Sequence, residues 1–343
     1  MKILFLTENM SVSAGGQYTA VFDLSNELIR SGHTVRVIDH YSLKHASILK
    51  TDLFKKFDII HIFGIWSYFH LKSFLLCILS KKKIVISTLG MLDEWSVNQK
   101  YLKKKIAYYL YQKFFLQNCS AIHVTSIDEY NNLLKLGFKK VFIIEHGLPS
   151  IKLKKKFFGN IKLKKLLYFG RIHPKKGLLN LLEVLNNFRD LNWCLNICGI
   201  DENNYSDIVK KKIFELRLQK KVFFTKPVFT QFEKLNIFNA SDIFILPSYS
   251  ENFSISVLES LRSGVPVCTT DQTPWKNYIK YNFGWICTTE IQSLTNTLSI
   301  IFNCNKKELS RKSNNSIKLF QNFFRIEKIA KKHISLYNKI LGK

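Results

Sequence analysis

The sequence predicts an α/β chain of two doubly wound parallel-sheet domains, with a ligand cleft between them. Three observations predict it. Short apolar runs alternate with amphipathic helical patterns from the first residues onward, a lysine-rich stretch breaks the pattern near the middle, and the same alternation then restarts. A length of 343 residues fits two domains, because single cores stop growing beyond roughly 250–300 residues.

In the first half, strands are expected at Lys2–Thr7, Thr34–Ile38, Ile59–Phe63, Ile84–Ser87, Ala121–Thr125 and Val141–Ile144. Helical patterns lie between them, clearest at Tyr18–Arg30, Asn98–Gln117 and Ser126–Leu136. Apolar runs without polar alternation suit strands covered on both faces, which is the parallel arrangement. Lys152 to Lys165 has few core-forming positions and reads as the connection between domains. Beyond it, strands are expected at Leu166–Phe169, Trp193–Cys198, Val222–Thr225, Ile243–Leu246 and Val265–Cys268. Helices are expected at Leu178–Phe188, Tyr205–Leu218 and Phe232–Asn239, and again from Lys307 to the end. Ligands in such sheets bind at the carboxyl ends of the strands.

Composition excludes several classes. With 46% hydrophobic and 14% aromatic residues the chain is not disordered. No apolar stretch reaches the roughly 18 residues that cross a bilayer, and the run Ser73–Ser80 is closed by Lys81-Lys82-Lys83. The opening Lys2-Ile3-Leu4-Phe5-Leu6 is too short for a signal-peptide core, so a cytoplasmic location is expected. Seven scattered cysteines form neither a disulfide framework nor a zinc site and are expected to be reduced. The formal charge is +27, almost all from lysine, since only eight of the 52 basic residues are arginine. Such a surface attracts either an anionic membrane or a nucleic acid. The segment from Lys100 to Tyr111, with Lys103-Lys104-Lys105 among aromatic residues, reads either as a membrane-facing amphipathic helix or as a helix with a solvated basic face.

Three segments carry candidate chemistry. Gly15-Gly16 closes the loop after the first strand and opens a helix, where bare backbone and free N–H groups can approach a phosphate, although an ordinary flexible turn has the same sequence. Gly170-Arg171-Ile172-His173-Pro174-Lys175-Lys176-Gly177 follows a buried strand and brings Arg and Lys to a helix start, where they can neutralise a departing diphosphate without a metal. Glu251 closes the exit of another strand, Asn252-Phe253-Ser254 lead into a helix, and Glu259 follows; Ser256-Val257-Leu258-Glu259 also fits a helix capping box.

Together, Gly15-Gly16, Gly170-Arg171 with Lys175-Lys176-Gly177, and Glu251 to Glu259 followed by Gly264-Val265-Pro266-Val267 resemble glycosyltransferase family 4, whose fold is GT-B. The match is ordered and spans Lys2 to Gly284. It is most similar to bacterial transferases of lipopolysaccharide, capsule and exopolysaccharide assembly, whose pattern is echoed in His61-Ile62-Phe63-Gly64-Ile65-Trp66, Gly90-Met91-Leu92-Asp93-Glu94-Trp95 and Thr273-Pro274-Trp275. The resemblance implies a Rossmann-like acceptor-side domain over 1–151, a Rossmann-like nucleotide-sugar domain over 165–320, and a terminal helix within 321–343 that packs back on the first. It implies retaining transfer of a sugar from a nucleotide-diphosphate donor to a glycan or lipid-linked acceptor, with no metal and no cofactor. Arg171 and Lys176 would hold the diphosphate, Glu251 would lie against the transferred sugar, and Glu259 would bond the ribose. The amides of Asn252, Phe253 and Ser254 and the Gly15-Gly16 loop would complete the cradle. His61 and Trp66 read either as acceptor-side residues or as core.

Three positions depart from the family's pattern. Leu89 stands where His or Arg is common, Phe63 where a second histidine is frequent, and Ser254 where glycine is common. Serine is compatible at that position if its backbone stays in an ordinary region. Two other classes fit parts of the sequence: a cleft enzyme such as a nucleotide-sugar epimerase, and a basic nucleic-acid-binding protein, although no nucleic-acid module is recognisable.

Overall fold

The computed structural model describes residues 1–41, 51–99, 101–151 and 163–343. The connection expected from Lys152 to Lys165 falls almost wholly outside the described residues, and so does Lys100. The chain divides into two compact units: Met1–Pro149 with Ile326–Lys343, and Ser150–Arg325.

The first unit is a six-stranded sheet of β1 (Lys2–Thr7), β2 (Thr34–Asp39), β3 (Ile59–Phe63), β4 (Lys83–Ser87), β5 (Ala121–Val124) and β6 (Val141–Ile143). The order is β2-β1-β3-β4-β5-β6 and every pairing is parallel. Alternation along β1 shows why both faces are covered. Leu4 and Leu6 enter one apolar cluster with Phe74 and Phe115, whereas Ile3 and Phe5 enter the other with Val21, Leu24 and Tyr337. Neither face tolerates a polar residue without a partner, so β3 is buried along its full length.

The helices of this unit are α1 (Gly16–Arg30), α2 (Thr51–Lys55), α3 (Tyr68–Leu79), α4 (Glu94–Asn98), α5 (Tyr101–Ala107), α6 (Lys113–Asn118) and α7 (Ile127–Lys135). The single helix expected over Asn98–Gln117 is broken. Asn98 ends α4, α5 starts at Tyr101, and a π-helical turn over Tyr108–Gln112 joins α5 to α6. The wider turn re-phases the helix, so that α6 buries Phe115 and Leu116 whereas α5 buries nothing.

The second unit holds β7 (Lys164–Phe169), β8 (Trp193–Cys198), β9 (Val222–Thr225), β10 (Ile243–Leu246), β11 (Val267–Thr270) and β12 (Gly284–Cys287), parallel in the order β12-β11-β10-β7-β8-β9. Its helices are α8 (Leu178–Asn186), α9 (Tyr205–Glu215), α10 (Gln231–Asn239), α11 (Ile255–Arg262), α12 (Ile291–Asn303) and α13 (Lys306–Phe323). The strand expected to start at Val265 starts at Val267 instead. Gly264, at φ 67°, ends α11, and the Val265 amide turns back to the Ser260 carbonyl at 2.9 Å, so Val265 closes the helix.

Helix α14 (Ile326–Leu341) belongs to the first unit. Its buried positions Ile326, Ile329, Ala330, His333, Leu336 and Tyr337 recur at helical spacing and pack against α1 and the sheet.

Candidate active site

In the second unit the strand order reverses between β7 and β10. Open α/β sheets bind ligands outside the carboxyl ends of the strands at such a reversal. The loop after β7 is fixed from below by Tyr168, whose buried hydroxyl donates to the Arg171 carbonyl at 2.7 Å. A short turn over Pro174–Lys176 follows, capped by His173, whose Nδ1 accepts the Lys175 amide at 3.1 Å. Gly177 then permits a contact that no other residue allows. A Cβ there would lie 2.1 Å from the Pro247 carbonyl oxygen, and its φ of 70° is left-handed. The loops after β7 and β10 therefore meet backbone to backbone, and the Tyr249 amide bonds the Lys175 carbonyl at 2.8 Å.

That approach sets Lys176 against Glu251. Nζ lies 2.5 Å from Oε1, and the Ser248 hydroxyl donates to the same oxygen at 2.7 Å. The side chains are only 12% and 8% exposed, so the pair is screened little by solvent. Burial works to raise the Glu251 pKa, but the Lys176 charge and the bonds from Lys176 and Ser248 outweigh it and hold the carboxyl below its ordinary range. The pair is one cation and one anion at the reversal point, each held by the other.

Arg171 is placed differently. Its guanidinium is 57% exposed and its Nη1 lies 2.7 Å from Glu202 Oε2, so it faces solvent and does not pair with Glu251. Glu259, on α11, is buried and pairs with Arg262 one turn on, with Lys234 Nζ at 3.4 Å. The capping-box reading of Ser256 to Glu259 is overturned. Helix α11 starts at Ile255, which puts Ser256 inside it, and the carboxylate turns to cations.

Asn252, Phe253 and Ser254 form the approach to α11. Phe253 is a core side chain: its ring packs against Trp275 at 5.1 Å, and its carbonyl accepts the Trp275 indole N–H at 2.6 Å. Ser254 stands at φ 68°, ψ 84°, and its side chain makes no cap bond to the helix. The ordinary backbone that would accommodate serine is not what the chain adopts, so a left-handed residue lies at the mouth of the site.

In the first unit, the loop after β1 leads to Gly15 at φ 63°, ψ −124°, and Gly16 is the first residue of α1. Nothing lies within 4 Å of a Cβ placed on Gly15, so its glycine is required by conformation and not by crowding. His61 is a core histidine and not an acceptor-side residue. It has no solvent exposure, Nδ1 bonds the Tyr337 hydroxyl at 2.7 Å, and Nε2 bonds the Ser87 hydroxyl at 2.6 Å. Trp66 is half-buried; its indole donates to the Met91 carbonyl at 3.0 Å and Lys104 lies over its ring at 5.6 Å.

Reading the sequence passed over Ser248, Glu202 and Lys234, and also Glu129. The last is buried behind Thr88 and Gly90 at the carboxyl ends of β4 and β5. Among the described residues no group of three or more His, Cys, Asp or Glu side chains is arranged to hold a metal ion. No described helix is long and apolar enough to cross a membrane.

Residues 150–318 match the family model of glycosyl transferases group 1. The O-antigen biosynthesis glycosyltransferase WclY of Escherichia coli is 26% identical over 171 residues, covering 50% of this chain and 45% of that protein. The alignment thus spans less than half the length of that relative. Among solved structures, sucrose-phosphate synthase from Thermosynechococcus elongatus superposes with a TM-score of 0.79 over 100% of both chains at 16% identity. HepE of Anabaena, solved in complex with UDP and glucose, superposes with a TM-score of 0.79 over 99% of this chain and 100% of that one at 15% identity. The fold is therefore that of the GT-B glycosyltransferases, and the second unit is similar in sequence to glycosyl transferases group 1.

Proposed function

We propose that the chain transfers a sugar, with retention of anomeric configuration, from a nucleotide-diphosphate donor to a glycan or lipid-linked acceptor in cell-surface polysaccharide synthesis. The observation that carries this reading is the buried Lys176–Glu251 pair at the reversal point of the second unit. The group 1 match over that unit and the O-antigen relative support the reaction class and the acceptor class.

The donor diphosphate takes the Lys176 ammonium as its counter-charge, which frees Glu251 to accept hydroxyls of the transferred sugar. Glu259 accepts from the ribose, held for that role by Arg262 and Lys234. The amides of residues 252–254 bind phosphate oxygens. As the bond from the anomeric carbon to the distal phosphate oxygen breaks, negative charge grows on that phosphate. A fixed cation stabilises it there without reorganising. The acceptor oxygen bonds the same carbon, and its proton passes to the departing phosphate. Lys176 supplies the positive charge in this scheme, so the chemistry runs without a metal or cofactor.

A thermal-shift screen against UDP, GDP, ADP, CMP and their sugars, in the presence of a chelator, tests it. One nucleotide series should raise the midpoint, and Lys176→Met should abolish the rise. Stabilisation by no nucleotide removes the donor-site reading, and donor turnover without acceptor assigns a different reaction.

A further inference from the structure

Trp275, on the segment after β11, is enclosed by rings. It is fully buried, and Phe253, Tyr278, Phe283 and Phe324 pack on it at centroid distances of 5.1, 5.6, 6.2 and 5.3 Å. Such an enclosure fixes the indole, and its N–H meets the Phe253 carbonyl at 2.6 Å. The same segment is tied to the loop after β10 at other points. The Thr270 hydroxyl donates to the Ser248 carbonyl at 2.5 Å, and the Glu251 amide donates to the Gln272 carbonyl at 3.3 Å. The Thr273 hydroxyl steadies the turn before Trp275 by donating to the Thr270 carbonyl at 2.8 Å.

A buried indole N–H satisfied by a carbonyl is an ordinary arrangement. What distinguishes this bond is the peptide that accepts it. The peptide between Phe253 and Ser254 is trans, so its carbonyl and its N–H point in opposite directions. With the Phe253 carbonyl turned into the rings, the Ser254 N–H is turned out of them. The same orientation puts Ser254 at φ 68°, a left-handed value that serine disfavours. Rotating that one peptide by half a turn would carry φ to about −110°, an ordinary value for serine. The chain therefore adopts the less favourable of two orientations, and the bond from Trp275 is what holds it there.

We infer that Trp275 is a positioning residue of the donor site: by taking the Phe253 carbonyl, it presents the N–H of the 253–254 peptide, and not its carbonyl oxygen, to the donor diphosphate. In the reversed orientation the peptide would meet a phosphate with the negative end of its dipole, and an attraction would become a repulsion. For its ligand the inference rests on the donor site proposed for this unit. The orientation of the peptide does not depend on that proposal.

Two replacements in the full chain remove the N–H. Trp275→Phe keeps an aromatic ring in the enclosure. The benzothiophene isostere of tryptophan, placed at position 275 by codon suppression, keeps the whole ring shape with sulfur in place of N–H, so it folds where phenylalanine leaves too large a gap. Binding titrations with UDP, GDP and ADP, and with uridine, guanosine and adenosine, read the phosphate contact. For the nucleotide that wild type binds, both replacements should weaken the diphosphate about tenfold and leave the nucleoside unchanged, since only the diphosphate reaches the Ser254 amide. Thermal unfolding reads the peptide itself. Ser254→Gly should raise the melting midpoint in wild type, and should not raise it with the isostere at 275, where the peptide is free to rotate and φ to relax. A tryptophan that only fills the core would weaken nucleoside and diphosphate together and leave the glycine gain intact. Full diphosphate affinity with the isostere, or an equal glycine gain in both backgrounds, overturns the inference and leaves the donor site standing. A wild type that binds none of the diphosphates overturns the donor site, and the role of Trp275 toward phosphate with it.

Discussion

Glu129 Oε1 lies 2.5 Å from the Gly90 amide nitrogen, and that bond holds a turn whose other central residue is strained. The Met91 amide closes the turn on the Thr88 carbonyl at 3.0 Å, and both residues between have positive φ, 51° at Leu89 and 69° at Gly90. This is the pattern of a type I′ turn, and leucine is a poor occupant of it. The same carboxylate also accepts from the Thr88 hydroxyl at 2.6 Å and the Thr125 amide at 3.1 Å. Burial raises its pKa despite these donors.

Glu129→Ala should therefore cost about 3 kcal/mol, because it strands buried donors that water does not reach. Leu89→Gly should stabilise by about 0.5–1 kcal/mol, the left-handed penalty less the added freedom of glycine when unfolded. If the carboxylate compensates the strain, the double variant should lose about 1 kcal/mol less than the sum of the two. Urea unfolding of the four proteins measures the coupling, and strict additivity would separate the turn from the carboxylate.

The buried pair of the second unit makes a prediction with a definite sign in pH. Lys176→Met preserves bulk but leaves the largely buried Glu251 charge without its paired cation, which should cost about 3 kcal/mol at neutral pH. In the wild type, Glu251 has a lowered pKa, so its contribution is present above the ordinary carboxylate value and fades only as pH falls through the lowered one. Without the lysine the carboxyl takes up a proton at higher pH, so the penalty should shrink between pH 7 and about 5. A penalty that stays constant over that range would mean the charge on Glu251 is not what the lysine stabilises. The same variant should lower the rate of sugar transfer about 100-fold, since a cation at the leaving group acts in the transition state.

Ser254→Gly tests the strain at the entry to α11. Serine at φ 68° costs roughly 1–2 kcal/mol, part of which glycine loses again as unfolded-state entropy, so a net gain of about 0.5–1 kcal/mol is expected. Ser254→Ala keeps the strain and removes the 3.0 Å hydroxyl contact with Ser256, so it should give no gain. Thermal unfolding of the two variants decides. A gain with alanine equal to that with glycine would place the effect in the hydroxyl and not in the backbone.

Much of the fold is legible because parallel strands covered on both faces leave uninterrupted apolar runs. Ile59–Phe63, Trp193–Cys198, Val222–Thr225 and Ile243–Leu246 are read at their observed bounds. The helix Tyr68–Leu79 is not read, because its apolar residues occur on every side and leave no period. Tertiary relations are harder still. Lys176 and Glu251 each stand out by position, but their bond depends on Gly177 meeting Pro247, an approach with no local signal. His61 reads ambiguously because its partner Tyr337 lies 276 positions away on α14. Lys234 is hidden by composition, as one lysine among many.

That distant contact belongs to a buried group of histidines whose titration should govern the acid stability of the first unit. His61 and His123 both bond the Ser87 hydroxyl, at 2.6 Å each, and the His333 ring of α14 packs on them at 5.7 Å and 4.8 Å. Burial lowers all of their pKa values, reinforced at His61 and His333 by neighbouring histidines; His123 falls to about 4 and nearby His146 to about 3. The Glu145 carboxylate works against the shift at His123, and Lys332 adds to it at His333. A histidine with a folded pKa below its unfolded value of 6.5 contributes full stability above that value and loses it as pH falls toward the folded pKa. Each histidine adds a slope of about 1.4 kcal/mol per pH unit in that window, and four of them make it steep. Urea unfolding between pH 7 and about 5 should show the first unit losing stability by several kcal/mol. His333→Gln removes one titrating group and should make the slope shallower by about 1.4 kcal/mol per pH unit, whatever it does to stability at neutral pH. An unchanged slope in that variant would show that His333 takes up its proton in the folded state as readily as in the unfolded chain.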